Sequence, residues 1–194
     1  LMQARKVYEL FYKEYKNRFD WISSQLFSDN LNKVLISDSR DLIKILEIGK
    51  DWCPSKDRQL NALCDLINNK HPQEKILVFT QFADTARYIA KELKQRKISK
   101  VDYVTGDDED PTSYAYKFSP ESNEKRKSVT ELDEIRVLIT TDVLSEGQNL
   151  QDGHIILNYD LPWAIIRLIQ RAGRVDRIGQ KSDRIFCYSF LPED

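Results

Sequence analysis

Five short apolar, β-branched runs, at residues 76–80, 101–104, 137–140, 155–159 and 185–190, restrict this 194-residue chain more than any other feature. Longer segments separate them, several with the apolar spacing of a helix. The spacing predicts helices over 57–68, 83–97, a piece around 113–118, and 162–176. Strand–helix alternation of this kind implies an α/β fold, a parallel sheet flanked by helices. Asp160 is placed to cap the last helix, with Pro162 tolerated in its first turn. In such open sheets ligands gather outside the carboxyl ends of the strands, where Thr80-Gln81, Thr105-Gly106, Thr141-Asp142 and Tyr159-Asp160 fall.

The first fifty residues read differently. Tyr8, Leu10 or Phe11, Tyr15, Phe19 and Ile22 recur at helical spacing, and residues 31–48 repeat the pattern. They predict two or three helices packed as a cap on the sheet, an N-terminal helical extension over 1–50 beside a sheet domain over 51–194. The aromatic stripe, with Trp21 and Trp52, is expected to be core packing. Pro54 breaks the pattern within a hinge at 49–56, and residues 107–111 and 119–134 read as exposed loops. The acidic run at 107–110 lacks the glycine and glutamate spacing of a calcium loop, so solvation is the expected role and no metal site is assigned.

With 41% apolar residues the chain can bury one good core and a helical appendage. No apolar run approaches the roughly 20 residues that span a bilayer, and no signal segment opens the chain. Cys53, Cys64 and Cys187 are odd in number and far apart, which suits a reducing compartment, so the expected location is cytoplasmic. His71 and His154, without paired cysteines, form no zinc pattern.

Against this near-neutral background, of net charge −1, residues 167–184 carry six basic side chains and only two acidic ones, Asp176 and Asp183. On a helix over 162–176, Arg167, Gln170, Arg171 and Arg174 share one face and Ile165, Leu168, Ile169 and Ala172 the opposite one, so the apolar face is expected to dock and the arginines to point outward. A guanidinium keeps its charge and offers a planar fork of donors suited to phosphate oxygens. Taken alone, the pattern also reads as a solvated basic face.

The segment Gln170-Arg171-Ala172-Gly173-Arg174-Val175-Asp176-Arg177-Ile178-Gly179-Gln180 resembles the sixth motif of superfamily-two helicases, and its Arg-Ile-Gly-Gln ending resembles the Swi/Snf branch of DNA translocases. Other motifs follow in order. Residues 76–82 (Ile-Leu-Val-Phe-Thr-Gln-Phe) resemble the fourth, Val104-Thr105-Gly106-Asp107 the segment after it, and residues 139–150, from Ile139 to Leu150, the fifth. Ser145-Glu146-Gly147 is closer to bacterial members, such as the RNA-polymerase-associated ATPase and helicases with phospholipase-D-like domains, than to eukaryotic remodellers. The chain thus resembles the C-terminal RecA-like lobe of a Swi/Snf-type ATPase.

That resemblance implies arginine fingers at Arg174 and Arg177, nucleotide-lining positions at Gly147, Asn149 and Gln170, and contacts from Gln81, Thr105, Gly106 and Thr141 to the phosphate backbone of double-stranded DNA. Each residue singly also has a turn or capping reading. No G-x-x-x-x-G-K-[ST] phosphate loop is present, and Asp108-Glu109 and Asp133-Glu134 precede apolar strands rather than follow them. ATP and Mg²⁺ are therefore expected to be held mainly by an N-terminal RecA-like lobe of a longer protein, of which this chain reads as a piece that is monomeric and inactive alone. A DNA-bound protein complex is a further expected partner. The rival readings are a non-catalytic RecA-like module that binds protein or nucleic acid, and a strand-separating RNA helicase.

Overall fold

All five apolar runs become strands of one parallel sheet. The computed structural model describes residues 2–14, 22–49, 52–145 and 148–191, so the predictions for Tyr15, Phe19, Trp21 and Gly147 lie outside the described residues. The chain divides into two compact units, Leu1–Trp52 and Cys53–Asp194.

In the second unit the strands are β1 (Ile76–Phe79), β2 (Val101–Val104), β3 (Val137–Thr140), β4 (Ile155–Asn158) and β5 (Phe186–Ser189), in spatial order β2-β3-β1-β4-β5. Register is continuous across the central three: Phe79 lies opposite Thr140 on one side and Asn158 on the other. Every residue of β1, β3 and β4 is buried, as expected of strands covered on both faces. Because side chains alternate, Ile76 and Val78 enter one core with Leu60, Leu63, Ile89 and Leu93, while Leu77 and Phe79 enter the other with Phe118, Leu144 and Val175. Burying each such side chain is worth about 1.5–3 kcal/mol.

Helices α1 (Met2–Glu14) and α2 (Asp29–Gly49) lie in the first unit. In the second, α3 (Arg58–Asp65) and α4 (Ala83–Gln95) cover the first core, and α5 (Pro111–Phe118) the other. Asp57 caps α3 by accepting from the Leu60 amide at 2.9 Å, and its second oxygen accepts from the Tyr88 hydroxyl of α4 at 2.9 Å. A five-residue π turn, Leu66–Lys70, takes the end of the helix predicted over 57–68. Asp110 caps α5, with Pro111 in its first turn.

Two expectations are corrected. Leu10, Phe11 and Ile22 are exposed, as are Leu35, Ile45 and Ile48 of α2, so within the described residues the N-terminal stripe is not core. Helical spacing puts apolar residues on one face and does not supply a surface to cover it. Trp52, expected to pack, is 55% exposed. Residues 119–134 form the exposed loop expected, without helix or strand, but it is anchored at points: Ser119 is fully buried, Asp152 accepts from the amides of Glu121 and Ser122 at 2.8 and 2.9 Å, and Lys75 pairs with Glu134 at 2.5 Å.

Candidate functional site

Beyond the strands the ladder runs one residue further: the Thr80 amide donates to the Thr140 carbonyl at 3.0 Å, Thr141 to Val104 at 3.3 Å and Tyr159 to Phe79 at 2.8 Å. With neighbouring strands about 4.8 Å apart, Thr105, Thr141 and Thr80-Gln81 form a row about 10 Å wide on the carboxyl edge of β2, β3 and β1. Thr105 is buried, and its amide and hydroxyl both donate to Asp108, at 2.7 and 3.1 Å. Arg87 of α4 bridges Asp84 and Asp107, and the hydrogen bond to Asp107 chiefly holds its guanidinium above the usual range. Gly106 is exposed, a Cβ there would meet nothing within 4 Å, and its φ is outside the left-handed region, so the chain itself does not require glycine at this position. Thr141 is half-buried.

Asp160 has a different task from the one expected. It accepts from the Thr80 hydroxyl at 2.5 Å and from the Gln81 amide at 2.9 Å, while the Gln81 side chain donates to the Leu161 carbonyl at 3.2 Å. The carboxylate thus organises the β1 turn instead of capping the following helix. That helix, α6, spans Ile165–Ala172, shorter than the 162–176 predicted, and its N-cap position is Ala164 with no side-chain cap.

The orientation of α6 is also corrected. Ile165 and Ile169 are exposed, and Arg171, expected to point outward, is only 3% exposed. Its Nε donates to Asp142 at 2.9 Å, its Nη1 donates to Asn158 at 3.0 Å, and its guanidinium lies 5.0 Å from the centroid of the Phe79 ring. Arg167 takes the second oxygen of Asp142 at 3.3 Å. The demand of a buried guanidinium for a carboxylate, an amide oxygen and a ring face, all at the ends of β3, β4 and β1, decides how the helix rolls.

Arg174 and Gln170 line one cavity of about 210 Å³ together with Phe79, Asp142, Arg167 and Arg171. Arg177 and Asn149 line an open depression beside Gln151, Asp176 and Ile178. The four described nucleotide-site predictions therefore meet in two pairs, each a finger candidate with an amide. Arg174 is half-buried; Arg177 is exposed, its Nε donating to the Gly173 carbonyl at 3.3 Å. The Asn149 amide already braces its own loop, donating to the Ser122 carbonyl and accepting from the Gln151 amide, both at 3.2 Å. The cavity fits phosphate oxygens: the buried Nη2 of Arg171 has no hydrogen-bond partner, and the guanidiniums of Arg167 and Arg174 also border it. It does not fit a metal, since Asp142 is consumed by Arg167 and Arg171 and no group of three metal-ligating side chains occurs among the described residues.

The profile of the helicase conserved C-terminal domain matches residues 58–179. The chain belongs to that helicase family. An ATP-dependent helicase of Bacillus subtilis, YqhH, is 36% identical over 157 residues, covering 73% of this chain and 26% of that protein. The RNA polymerase-associated protein RapA of Vibrio cholerae is 32% identical over 139 residues, 71% of this chain and 13% of that one. The crystal structure of the C-terminal part of the Fun30 ATPase domain superposes with a TM-score of 0.56 at 20% identity, covering 69% of this chain and 41% of that one, a likeness of fold. ATP-dependent RNA helicases are also among the similar proteins. This helicase lobe thus spans about a quarter or less of the curated relatives named here.

The sequence places Asp142 outside the carboxyl end of β3, where ligands gather, but gives no sign that it receives Arg171. Asn158, the other receptor of Arg171, is missed; its only signal is a polar residue at the end of an apolar strand. Gln180 is legible only as the last residue of a motif.

Proposed function

We propose that the chain is the second motor lobe of an ATP-dependent double-stranded DNA translocase of Swi/Snf type, acting in the cytoplasm. An N-terminal RecA-like lobe would hold most of ATP and the Mg²⁺, and this lobe would close on it with Arg174 and Arg177 directed at the γ-phosphate. The observation that carries the reading is that Arg174 shares a cavity with Gln170, and Arg177 a depression with Asn149, so that each finger candidate borders a hollow with one of the nucleotide-lining candidates. Gly147, outside the described residues, would line the nucleotide beside Asn149. A guanidinium directed at the transferring phosphoryl group stabilises charge that develops only in the transition state.

Gln81, Thr105, Gly106 and Thr141 would contact the phosphate backbone of the tracking strand. Their row on three adjacent strand ends supports this, and so does Gly106, where the open space favours close approach of a ligand over any need of the fold. Contacts of this kind carry no sequence information, as a motor on arbitrary DNA requires.

In the full-length protein, Arg174→Ala or Arg177→Ala should lower DNA-stimulated turnover by about 10³-fold or more and leave ATP affinity within about threefold. Arg174→Lys should fail nearly as badly, because a point charge cannot replace the planar fork. Arg184, exposed and beyond the motif, is the control and should tolerate alanine. Normal turnover in both finger variants, or equal damage from Arg184→Ala, would overturn the assignment. Stimulation by single-stranded RNA without stimulation by duplex DNA would replace the translocase with an RNA helicase.

A further inference from the structure

The segment that carries both finger candidates, residues 173–180, leaves α6 at Gly173 and is not part of the sheet. Two things hold it. Val175 is fully buried in the core beside Leu144 and Leu150. At the far end, the Gln180 side chain reaches back: its Nε2 lies 3.1 Å from the Gln151 carbonyl, 3.1 Å from the Gly153 carbonyl and 2.9 Å from the Val175 carbonyl, and its Oε1 accepts from the Ser182 amide at 2.9 Å. Two N–H groups are thus shared among three carbonyl oxygens.

The bond is reciprocated. Gln151, only 8% exposed, donates its own side-chain Nε2 to the Ile178 carbonyl at 3.0 Å. The turn that permits this is made by Gly179, at φ +100°, a region that L side chains rarely adopt. The receiving loop is itself braced: a Cβ on Gly153 would stand 2.8 Å from the Phe118 ring, and the neighbouring Asp152 is bonded to residues 121 and 122. Arg177 therefore sits on a span anchored at Val175 on one side and clasped at Ile178 and Gln180 on the other.

We propose that Gln180, clasped with Gln151, is the positioning residue that sets the reach of Arg177 and, through Val175, of Arg174. The proposal rests on the finger reading above. Only a carboxamide supplies donors to the three carbonyls and an acceptor to the Ser182 amide from one planar group; a carboxylate of the same shape would face those carbonyls without a proton to give. Gln180→Glu thus inverts the clasp at nearly constant volume, and Gln180→Met removes it without adding repulsion.

In the full-length protein both variants should lower kcat for DNA-stimulated ATP hydrolysis by about 10- to 100-fold, as expected when a catalytic group is misplaced by about 1 Å, with KM for ATP changed less than about threefold. Gln180→Glu should be the worse. Amide hydrogen exchange should quicken in residues 173–182 of both variants and stay unchanged in β1, β3 and β4. Unchanged kcat, unchanged exchange in that segment, or faster exchange throughout the sheet overturns the clasp. Failure of the finger reading shows separately, as full turnover in Arg174→Ala and Arg177→Ala; the exchange measurement tests the clasp in either case.

Discussion

Arg171 and Arg174 stand three positions apart and line the same cavity, yet the first is buried and the second half-buried. Acceptors at three strand ends hold the first inside. Arg171 has Asp142, Asn158 and the Phe79 ring, contributed by three strand ends far apart in sequence. A helical projection groups side chains by angle and assumes that charge faces water, so it placed Arg171 outside and the isoleucines inside. The motif itself was legible because its glutamine, glycine and arginines are spaced by local geometry; the burial of its first arginine was not, because it depends on residues 13 and 29 positions away. Removing Arg171 leaves the Asn158 oxygen buried without that donor and strips Asp142 of its nearer partner. Arg171→Ala should therefore cost about 2–4 kcal/mol in urea unfolding, and alanine at the exposed Arg184 less than about 0.5 kcal/mol. Equal costs for the two would show that the Arg171 contacts contribute nothing particular.

Among elements, the strands were read to within a residue or two because apolar runs of this length have few other places to go than a covered sheet. Helix ends were read less well. The segment after α3 continues as a π turn, α6 lost its predicted start once Asp160 was taken by Thr80 and Gln81, and its end comes early, at Ala172 with Gly173 as C-cap. Residues 119–134 are mostly exposed, as their polar composition suggested, but composition did not show that some of their charges are tied to partners within the protein. Glu134 shows how strongly. Burial opposes its ionisation, but hydrogen bonds from Lys75 and Arg126 outweigh burial and hold the carboxyl below its ordinary value of 4.5. A carboxyl depressed in the folded state stabilises at pH above its unfolded value and loses that contribution as pH falls through the folded one. Glu134→Gln should accordingly cost about 1–2 kcal/mol at pH 7 by denaturant unfolding, with the deficit shrinking below about pH 4.5. A deficit that stays the same from pH 7 to pH 2 would remove the ion pair as its cause.

At the scale of the whole molecule, the distribution of chemistry matters more than its amount. The chain has nearly balanced charge, but the cavity at Arg174 gathers arginines around Asp142, a carboxylate that Arg167 and Arg171 already occupy. Hydrolysing ATP needs more than charge stabilisation: a metal must be held against the phosphates and a water or base must be oriented. Among the described residues no cluster of three acidic, histidine or cysteine side chains could do the first. The sequence contains no phosphate loop to supply a lysine and a hydroxyl. The chain alone should therefore show ATP turnover indistinguishable from background, with or without duplex DNA, in a phosphate-release assay at millimolar Mg²⁺. Adding the N-terminal lobe on the same polypeptide should restore turnover, and restoration should depend on Arg174 and Arg177. Turnover by the chain alone that vanished in Arg174→Ala would mean that these hollows form a complete catalytic site, and the division of labour between two lobes would be wrong.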